Sequence, residues 1–304
     1  MNSYIKIWKK QLKRNWHLYL FVLPTLIYFI VFNYLPMYGL QIAFKNFYPS
    51  QGILGSEWVG FDHFERFFNS PSFWTIIKNT LSISLYELIL FPLPILFALA
   101  INELRNGTFK KSVQIITYAP HFISVVVVAG IIVSLVHPAT GIVNKGIVLL
   151  GGEPISFMTE PAWFKSIYVW SGTWQQLGWN SIIYIAALSA INPELHEAAT
   201  IDGATRVQRI WSINLPGIMP TVIILLILSI GNFMSIGFEK VYLLQNQLNM
   251  ESSEVIQTYV YRSGLLQAQY SFSAAVGLFN SVINLILLVT INSIARKVSQ
   301  TSLW

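Results

Sequence analysis

Hydrogen-bonding side chains recur at helical spacing inside the apolar stretches of this chain. They are Thr173, Gln176 and Asn180 in one stretch, Asn280 and Asn284 with Gly277 in another, and Ser229 with Asn232 in a third. Residues spaced i, i+3 and i+7 lie on one face of a helix. Polar side chains inside a membrane span face protein or water rather than lipid. The pattern predicts recognition by hydrogen bonds, with no covalent step.

Tryptophans accompany the first of these polar faces, at Trp170, Trp174 and Trp179. Aromatic faces can cover the C–H surface of a sugar while amides bind its hydroxyl groups. The pattern therefore predicts a neutral, amide-rich cavity for a carbohydrate, and it suits an inorganic ion less well. The alternative is that the amides join helices, where each contact contributes about 0.6 kcal/mol on average.

Glu87 is a carboxylate within an apolar stretch. Placing such a group at the centre of a membrane helix costs about 2.5 to 3.5 kcal/mol, so it should face a partner or water. An ion pair or hydrogen bond between helices would explain it. The alternative is a proton-coupling group in an ion-driven secondary transporter.

Groups for covalent or metal chemistry are scarce in the sequence. There is no cysteine, which excludes disulfides and thiolate sites. His121 and His137 have no evident metal-ligand partners, and we interpret both as helix-end or interface residues. The apolar stretches contain no paired acid and base. We expect no catalytic residue and no metal site.

Composition explains where these side chains must lie. The chain has 304 residues, of which 54% are hydrophobic and 11% charged, too few charges to cover a water-soluble domain. We predict an all-α, polytopic membrane protein, with Pro92 and Pro94 kinking the second of six transmembrane helices. The six spans are residues 18–35, 73–101, 112–136, 163–190, 216–236 and 274–295.

Charge predicts the orientation. The segments 1–17, 102–111, 191–215 and 296–304 contain 12 of the 19 Lys and Arg residues, which places them and both termini in the cytoplasm. Because the basic residues flank apolar runs, the net charge of +6 does not indicate nucleic-acid binding. Six Lys and Arg residues, including Lys240, belong to the outer loops and the helix end that contains Lys165.

The first outer loop contains VGFDHFERFFNSP. Asp62 and Glu65 have the spacing of a capping box, and Phe61, Phe64 and Phe68 fall on one helical face. We expect a helix that lies on the outer surface of the membrane. Residues 1–72 would form an N-terminal unit of tail, first span and outer loop, and residues 73–304 the core of five spans.

The most polar long segment of the second half is INPELHEAATIDGATRVQRIWSINLP, residues 191–216. Asn192 is a good N-cap and Pro193 fits the first helical turn. Gly203 then interrupts the helix, a second helical run covers 204–211, and Pro216 begins the next span. We predict two short helices with a bend at Gly203.

This segment resembles the EAA motif of permease subunits in binding-protein-dependent ABC importers. The matching residues are Glu197-Ala198-Ala199, Gly203, Ile213 and Leu215-Pro216, at the spacing of the motif. Elsewhere NYLPMYGLQIAFKNF, WVGFDHFERFF, KNTLSIS, YAPHFIS, AALSAINPELHEAATIDGA and FNSVINLILL resemble the maltose-type carbohydrate permeases, most nearly the LplB-like polysaccharide branch. The resemblance implies the MetI-like transmembrane fold of type I ABC importers, in a bacterial cytoplasmic membrane.

The resemblance also implies a set of partners and roles. Glu197 would meet a basic residue of a cytoplasmic ATPase, Ala198 and Ala199 would pack in its cleft, and Gly203 would provide the bend with Asp202 nearby. The sequence lacks the nucleotide-binding pattern G-x-x-x-x-G-K-[ST], so two ATPase subunits would bind ATP and Mg. A second, homologous permease subunit and an extracytoplasmic solute-binding protein would complete the importer.

Overall fold

The computed structural model describes residues 14–104, 107–299 and 302–303, which are almost entirely helical. Lys6, Lys9, Lys10, Lys13 and Arg105, which enter the predicted orientation, lie outside the described residues. In chain order the α-helices are α1 Trp16–Phe29, α2 Leu35–Met37, α3 Gly52–Gly55, α4 Asp62–Phe68, α5 Phe73–Leu90, α6 Pro92–Asn102, α7 Gly107–Tyr118, α8 Val125–Leu135, α9 Ile142–Leu149, α10 Pro161–Ser189, α11 Pro193–Ile201, α12 Arg206–Arg209, α13 Leu215–Gly231, α14 Phe238–Leu244, α15 Met250–Ser253, α16 Ile256–Tyr261 and α17 Tyr270–Ser299.

Shorter elements connect some of these helices. The π-helical turns are Ile30–Tyr34, Ile210–Asn214 and Arg262–Leu266, and the 3₁₀ segments are Tyr38–Phe44 and Ala119–Phe122. Two strands, β1 Lys45–Asn46 and β2 Glu57–Trp58, pair antiparallel with Lys45 opposite Trp58. The all-α prediction is confirmed, with this one small hairpin added.

Four continuous helical stretches are long and apolar enough to cross a membrane: Trp16–Phe44, Phe73–Asn102, Arg206–Gly231 and Tyr270–Val298. A broken pair, α7 with α8, adds a fifth. Helix α10 has 29 residues, which span about 43 Å, but it is too polar to belong to that set. The prediction of six spans therefore stays a prediction.

The predicted third span is not one straight helix. Helices α7 and α8 meet at an angle of 101° across the 3₁₀ turn Ala119–Phe122, so the apolar run of residues 112–136 is bent, and its crossing of the membrane as one span stays a prediction. Pro120 lacks a backbone N–H, and the Ser124 side chain accepts a hydrogen bond from the N–H of Val127 to begin α8. In the second span α5 ends at Leu90 and α6 begins at Pro92, next to the predicted kink, while Phe73–Asn102 as a whole stays one continuous helical stretch.

Helix α10 is the central element of the core. Its first half packs with α5, α8 and α14 around Ile83, Val128 and Tyr168. Its second half packs with α6 and α13 around Tyr184 and Ile218. By contrast, no residue of α1 is buried within the chain, so lipid or another protein must cover its apolar side chains.

The short helix α4 belongs to the core rather than only to a surface. Phe67, which the sequence analysis left off the apolar face, is fully buried among Ile76, Phe272 and Val276. The proposed capping box is wrong, because Phe61 occupies the N-cap position and makes no side-chain capping hydrogen bond. Phe61 is 66% and Phe68 46% exposed, whereas Phe67 is the phenylalanine of α4 that is fully enclosed by the core.

Helices α10 and α7 approach each other at a glycine. A Cβ atom on Gly178 would lie 2.2 Å from the backbone oxygen of Thr117. Real Cβ atoms essentially never come so close, so even alanine would force the two helices apart.

We expect Gly178→Ala to destabilise the protein by about 1 to 3 kcal/mol, because an overpacked contact between backbones cannot relax by moving a side chain. The measurement is the midpoint of thermal unfolding in detergent. Gly277→Ala is the matched control, because no heavy atom lies within 4 Å of the added Cβ. Equal midpoints for the two variants would contradict the close approach.

Candidate functional site

A cavity of about 790 Å³ opens beside α10, with further walls from α5, α6, α8, α13 and α14. Its volume is in the range of about 300 to 1,000 Å³ that is usual for small-molecule sites. Eight polar or aromatic residues were predicted to line the substrate pathway, and four of them line this cavity: Thr173, Gln176, Trp179 and Asn180. Ser229 of α13 lines it as well.

The other four predicted pathway residues lie outside this cavity. The Asn284 side chain accepts from the N–H of Met234 at 2.9 Å and donates to Ser235 Oγ at 2.9 Å, so it fastens the segment after α13 to α17. The Asn232 amide donates to the carbonyl of Leu228. Asn280 Oδ1 is buried without a hydrogen-bond partner, and Trp174 is exposed on α10.

The cavity is not neutral, which corrects the expectation from the sequence. Glu87 of α5 and Lys240 of α14 both line it. Among the described residues, Glu87 and Lys240 are not within salt-bridge distance of each other. Their opposite charges still attract each other across the cavity. The cavity therefore presents a carboxylate, an ammonium group, amides and an indole ring.

Lys240 was predicted to lie in an outer loop, and the structure places it in the protein interior with 8% of its surface exposed. Its Nζ donates to the carbonyl of Tyr168 at 2.8 Å and lies 4.8 Å from the centroid of the Tyr168 ring. Burial lowers the pKa of Lys240 to about 8, and the Glu87 carboxylate opposes that shift. The apolar setting of FEKVYLL is the signal that could have revealed a buried lysine.

Glycine makes room for this ammonium group. A Cβ on Gly172 would lie 3.1 Å from Lys240 Nζ, and one on Gly237 would lie 3.3 Å from the Tyr168 hydroxyl. Both contacts are tighter than side chains usually allow. Helix α14 is thus held against α10 by small residues and a buried charge, not by apolar packing alone.

His121 lies in the break between α7 and α8 and contacts α10. Its ring stacks on Trp179 with centroids 4.1 Å apart and planes 1° from parallel. Its Nδ1 is 2.8 Å from Gln176 Oε1. Next to it, Gln175 Nε2 donates to the carbonyl of Ile123 at 2.9 Å. His121 thus lies at an interface between helices, one of the two positions expected for it, although the sequence does not reveal its partners.

The segment between α10 and α13 forms the predicted bend. Asn192 caps α11 by accepting from the N–H of Glu194 at 3.0 Å, as predicted. Gly203 has a φ of +77°, a left-handed conformation that disfavours other residues. Hydrogen bonds from Gly203 N–H to Thr200 and from Ala204 N–H to Ala199 complete a Schellman motif.

The second half of the segment differs from the prediction of a separate short helix. Thr205 and Gln208 form a capping box, and the helix then runs without interruption from Arg206 to Gly231. The π-turn Ile210–Asn214 accommodates Pro216, which cannot donate a backbone hydrogen bond. Asn214 is fully buried, and neither its Nδ2 nor its Oδ1 has a hydrogen-bond partner.

The predicted coupling residues lie together on the surface. Glu197, Ala198, Asp202 and Gly203 are exposed, and Ala199 is half-buried. Glu197 and Asp202 form no ion pair with the described residues. Arg209 Nη1 donates to Thr200 Oγ1 at 2.9 Å, which fixes the two arms of the bend relative to each other. The carboxylates are available to a partner.

Known proteins resemble the chain over almost its full length. Residues 90–300 match the family described as "Binding-protein-dependent transport system inner membrane component". The chain is 45% identical to Protein LplB of Bacillus subtilis (strain 168), covering 98% of this chain and 94% of that protein. It is 46% identical to the polygalacturonan/rhamnogalacturonan transport system permease protein YteP of the same organism, covering 95% and 90%.

Solved structures share the fold. A bacterial ABC transporter involved in the import of the acidic polysaccharide alginate contains a chain that matches with a TM-score of 0.89 and 44% identity, covering 97% of this chain and 99% of that chain. A bacterial alginate ABC transporter in complex with alginate pentasaccharide-bound periplasmic protein matches with the same values. These likenesses confirm the predicted fold of an ABC importer permease.

We expect Glu87→Gln and Lys240→Met each to destabilise the protein, since each leaves the other charge without its counterpart. The double variant should lose less than the sum of the two, by about 0.5 to 3 kcal/mol. The measurement is a double-mutant cycle on thermal unfolding in detergent. Additive losses would mean that the two charges do not stabilise each other.

Proposed function

The chain belongs to the family of binding-protein-dependent transport system inner membrane components, and we propose that it conducts a short oligosaccharide through the cavity beside α10. As a permease subunit of a sugar ABC importer it performs transport and no covalent chemistry. Alternating access would be driven from outside this chain. In such a cycle the two conformations of the transporter bind the ligand with different affinity.

The observation that carries the proposal is the combination of an exposed indole with amides on one cavity wall. Trp179 is 42% exposed and lines the cavity beside Gln176 and Asn180. The neighbouring residues Gln175 and Gly178 of α10 are buried. Thr173 extends the polar wall by one turn. Such a wall can bind sugar hydroxyls and cover a C–H face at once. The names of the relatives, which include permeases for polygalacturonan, rhamnogalacturonan and arabinooligosaccharides, agree with a carbohydrate.

The charged groups refine the substrate class. Glu87 can accept hydrogen bonds from sugar hydroxyls, and Lys240 has two N–H groups beyond the one it donates to Tyr168. We propose that Thr173, Gln176, Trp179 and Asn180 contact substrate directly. Trp174, Asn232, Asn280 and Asn284 would act on the pathway indirectly, from α10, from α17 and from the segment that follows α13.

We propose that the exposed bend couples the cavity to an ATPase. Glu197 would pair with a basic residue, and Ala198 with Ala199 would pack in a cleft. Asp202 and Gly203 would set the bend. Two cytoplasmic ATPase subunits would bind ATP and Mg, because this sequence has no phosphate-binding loop pattern. The surface position of the coupling residues and the left-handed Gly203 support this assignment.

The remaining partners follow from the same proposal. A second, homologous permease would complete the pathway and an extracytoplasmic binding protein would deliver the sugar, as the periplasmic protein in the alginate transporter complex suggests. Six spans with both termini in the cytoplasm would place residues 191–216 at the ATPase. Residues 1–72 would form an N-terminal unit beside the core of residues 73–304.

Ion coupling through Glu87 is the rival mechanism. Membership of the importer family opposes it, and the interaction of Glu87 with Lys240 accounts for the buried carboxylate without a proton cycle. Uptake into reconstituted vesicles distinguishes the two mechanisms. Transport that persists without ATPase subunits and stops when the ion gradient collapses would favour ion coupling.

We expect Trp179→Ala to raise the half-saturating oligosaccharide concentration about threefold to tenfold, since loss of one aromatic contact removes about 0.5 to 1.5 kcal/mol. The measurement is uptake into proteoliposomes that contain the whole importer. Trp163→Ala is the matched control, because it removes an exposed tryptophan of the same helix outside the cavity. Equal effects of the two variants would exclude the cavity as the sugar site.

We expect Glu197→Lys to abolish association with the ATPase subunits while membrane insertion stays normal, because it reverses a charge at the proposed interface. Co-purification and ATPase activity measure the effect. Glu194→Lys is the control on the same helix. It should lower the free energy of unfolding by at most about 1 kcal/mol, because it places a positive charge at the helix N-terminus. Normal assembly of Glu197→Lys would remove this carboxylate from the coupling interface.

A further inference from the structure

His121 contacts two of the residues that face the cavity and is not itself part of the cavity wall. It stacks on Trp179 and forms a hydrogen bond with Gln176, which is three residues earlier on α10. One side chain from the broken span thus fixes both the aromatic ring and the amide. We propose that His121 is a positioning residue for substrate, an inference that rests on the proposed sugar site.

The stacking determines which face of Trp179 a ligand can reach. The His121 ring covers one face of the indole at 4.1 Å, and Phe122 meets the ring edge-on at 5.6 Å. The 42% of Trp179 that is exposed therefore belongs to the opposite face and the free edges. Rotation of the indole would break the parallel stack, so His121 holds that face toward the cavity.

The hydrogen bond determines which end of the Gln176 amide is presented. An amide oxygen can only accept, so His121 Nδ1–H donates to Gln176 Oε1 in this contact. The Gln176 NH₂ group is then directed away from His121 and can donate to a sugar oxygen. His121 therefore orients both the indole ring of Trp179 and the amide group of Gln176.

The position of His121 is itself fixed by neighbouring contacts. Gln175 Nε2 donates to the carbonyl of Ile123, two residues after His121. Gly178 lets the backbone at Thr117 approach, four residues before it. The segment with His121 is thus fastened to α10 on both sides, which lets the ring act as a rigid support.

Three substitutions separate the two contacts. His121→Phe keeps an aromatic ring and loses the hydrogen bond, and His121→Asn keeps a donor near the Nδ1 position and loses the stack. His121→Ala loses both. His137→Asn is the control, since His137 is an exposed histidine whose Nδ1 accepts hydrogen bonds in a turn and lies away from the cavity.

The assay uses the permease complex with its ATPase subunits in lipid nanodiscs, and alginate pentasaccharide and maltopentaose as probes. Equilibrium binding of radiolabelled probe gives the half-saturating probe concentration, and basal ATPase activity reports on the integrity of the complex. We expect about a tenfold higher half-saturating concentration for His121→Ala and about threefold for His121→Phe and His121→Asn. Basal ATPase activity should stay within about twofold of the unmodified protein, which a loss of folding would not allow.

The outcomes separate this inference from the proposed function. If Trp179→Ala weakens probe binding and the three His121 variants do not, His121 has no positioning role and the sugar site stands. If His121→Ala lowers basal ATPase activity while His121→Phe and His121→Asn bind normally, the role is structural only and the inference fails. If Trp179→Ala binds normally, or neither probe binds the unmodified complex, the proposed sugar site fails.

Discussion

A broken helix within a membrane must find partners for the backbone groups that the break releases. Water cannot satisfy them in the hydrocarbon region, so non-helical backbone is tolerated only where protein or a water-filled cavity surrounds it. The turn between α7 and α8 breaks a pair of helices that together are long and apolar enough to cross a membrane. Gln175 satisfies the carbonyl of Ile123, and Gly178 allows the backbones to meet. A polar side chain of α10 thus provides the hydrogen bond that the turn requires.

The same solution creates the cavity. Gln175 supports the break, while Gln176 and Asn180, on the adjoining face of α10, line the cavity beside it. An apolar helix could have closed the gap by packing. The polar face leaves a wall that can form hydrogen bonds, and Trp179 provides it with an aromatic surface. Support of the backbone and the proposed recognition of a sugar use neighbouring residues of one helix.

The features that depend on local chemistry could be predicted from the sequence. Asn192 caps its helix and Gly203 turns it because a side-chain oxygen and a missing Cβ act on their own backbone. Thr173, Gln176 and Asn180 share a face because helical spacing requires it. The contacts of Lys240, His121 and Phe67 could not be predicted, since their environment is made by residues about 55 or more positions away or by competing aromatic neighbours. Only tertiary packing decides between Phe67 and Phe68, or brings Lys240 to Tyr168.

One continuous helix joins the exposed bend to the cavity wall. From Arg206 to Gly231 it has 26 residues, about 39 Å of rod, and Ser229 near its far end lines the cavity. Arg209 braces it against α11, and the π-turn contains Asn214, whose buried amide has no hydrogen-bond partner. If the bend is the coupling site that we propose, a displacement there would reach Ser229 through this single helix, as along a lever. The five residues of the π-turn would then determine how much of the displacement is transmitted and how much is absorbed by bending of the helix.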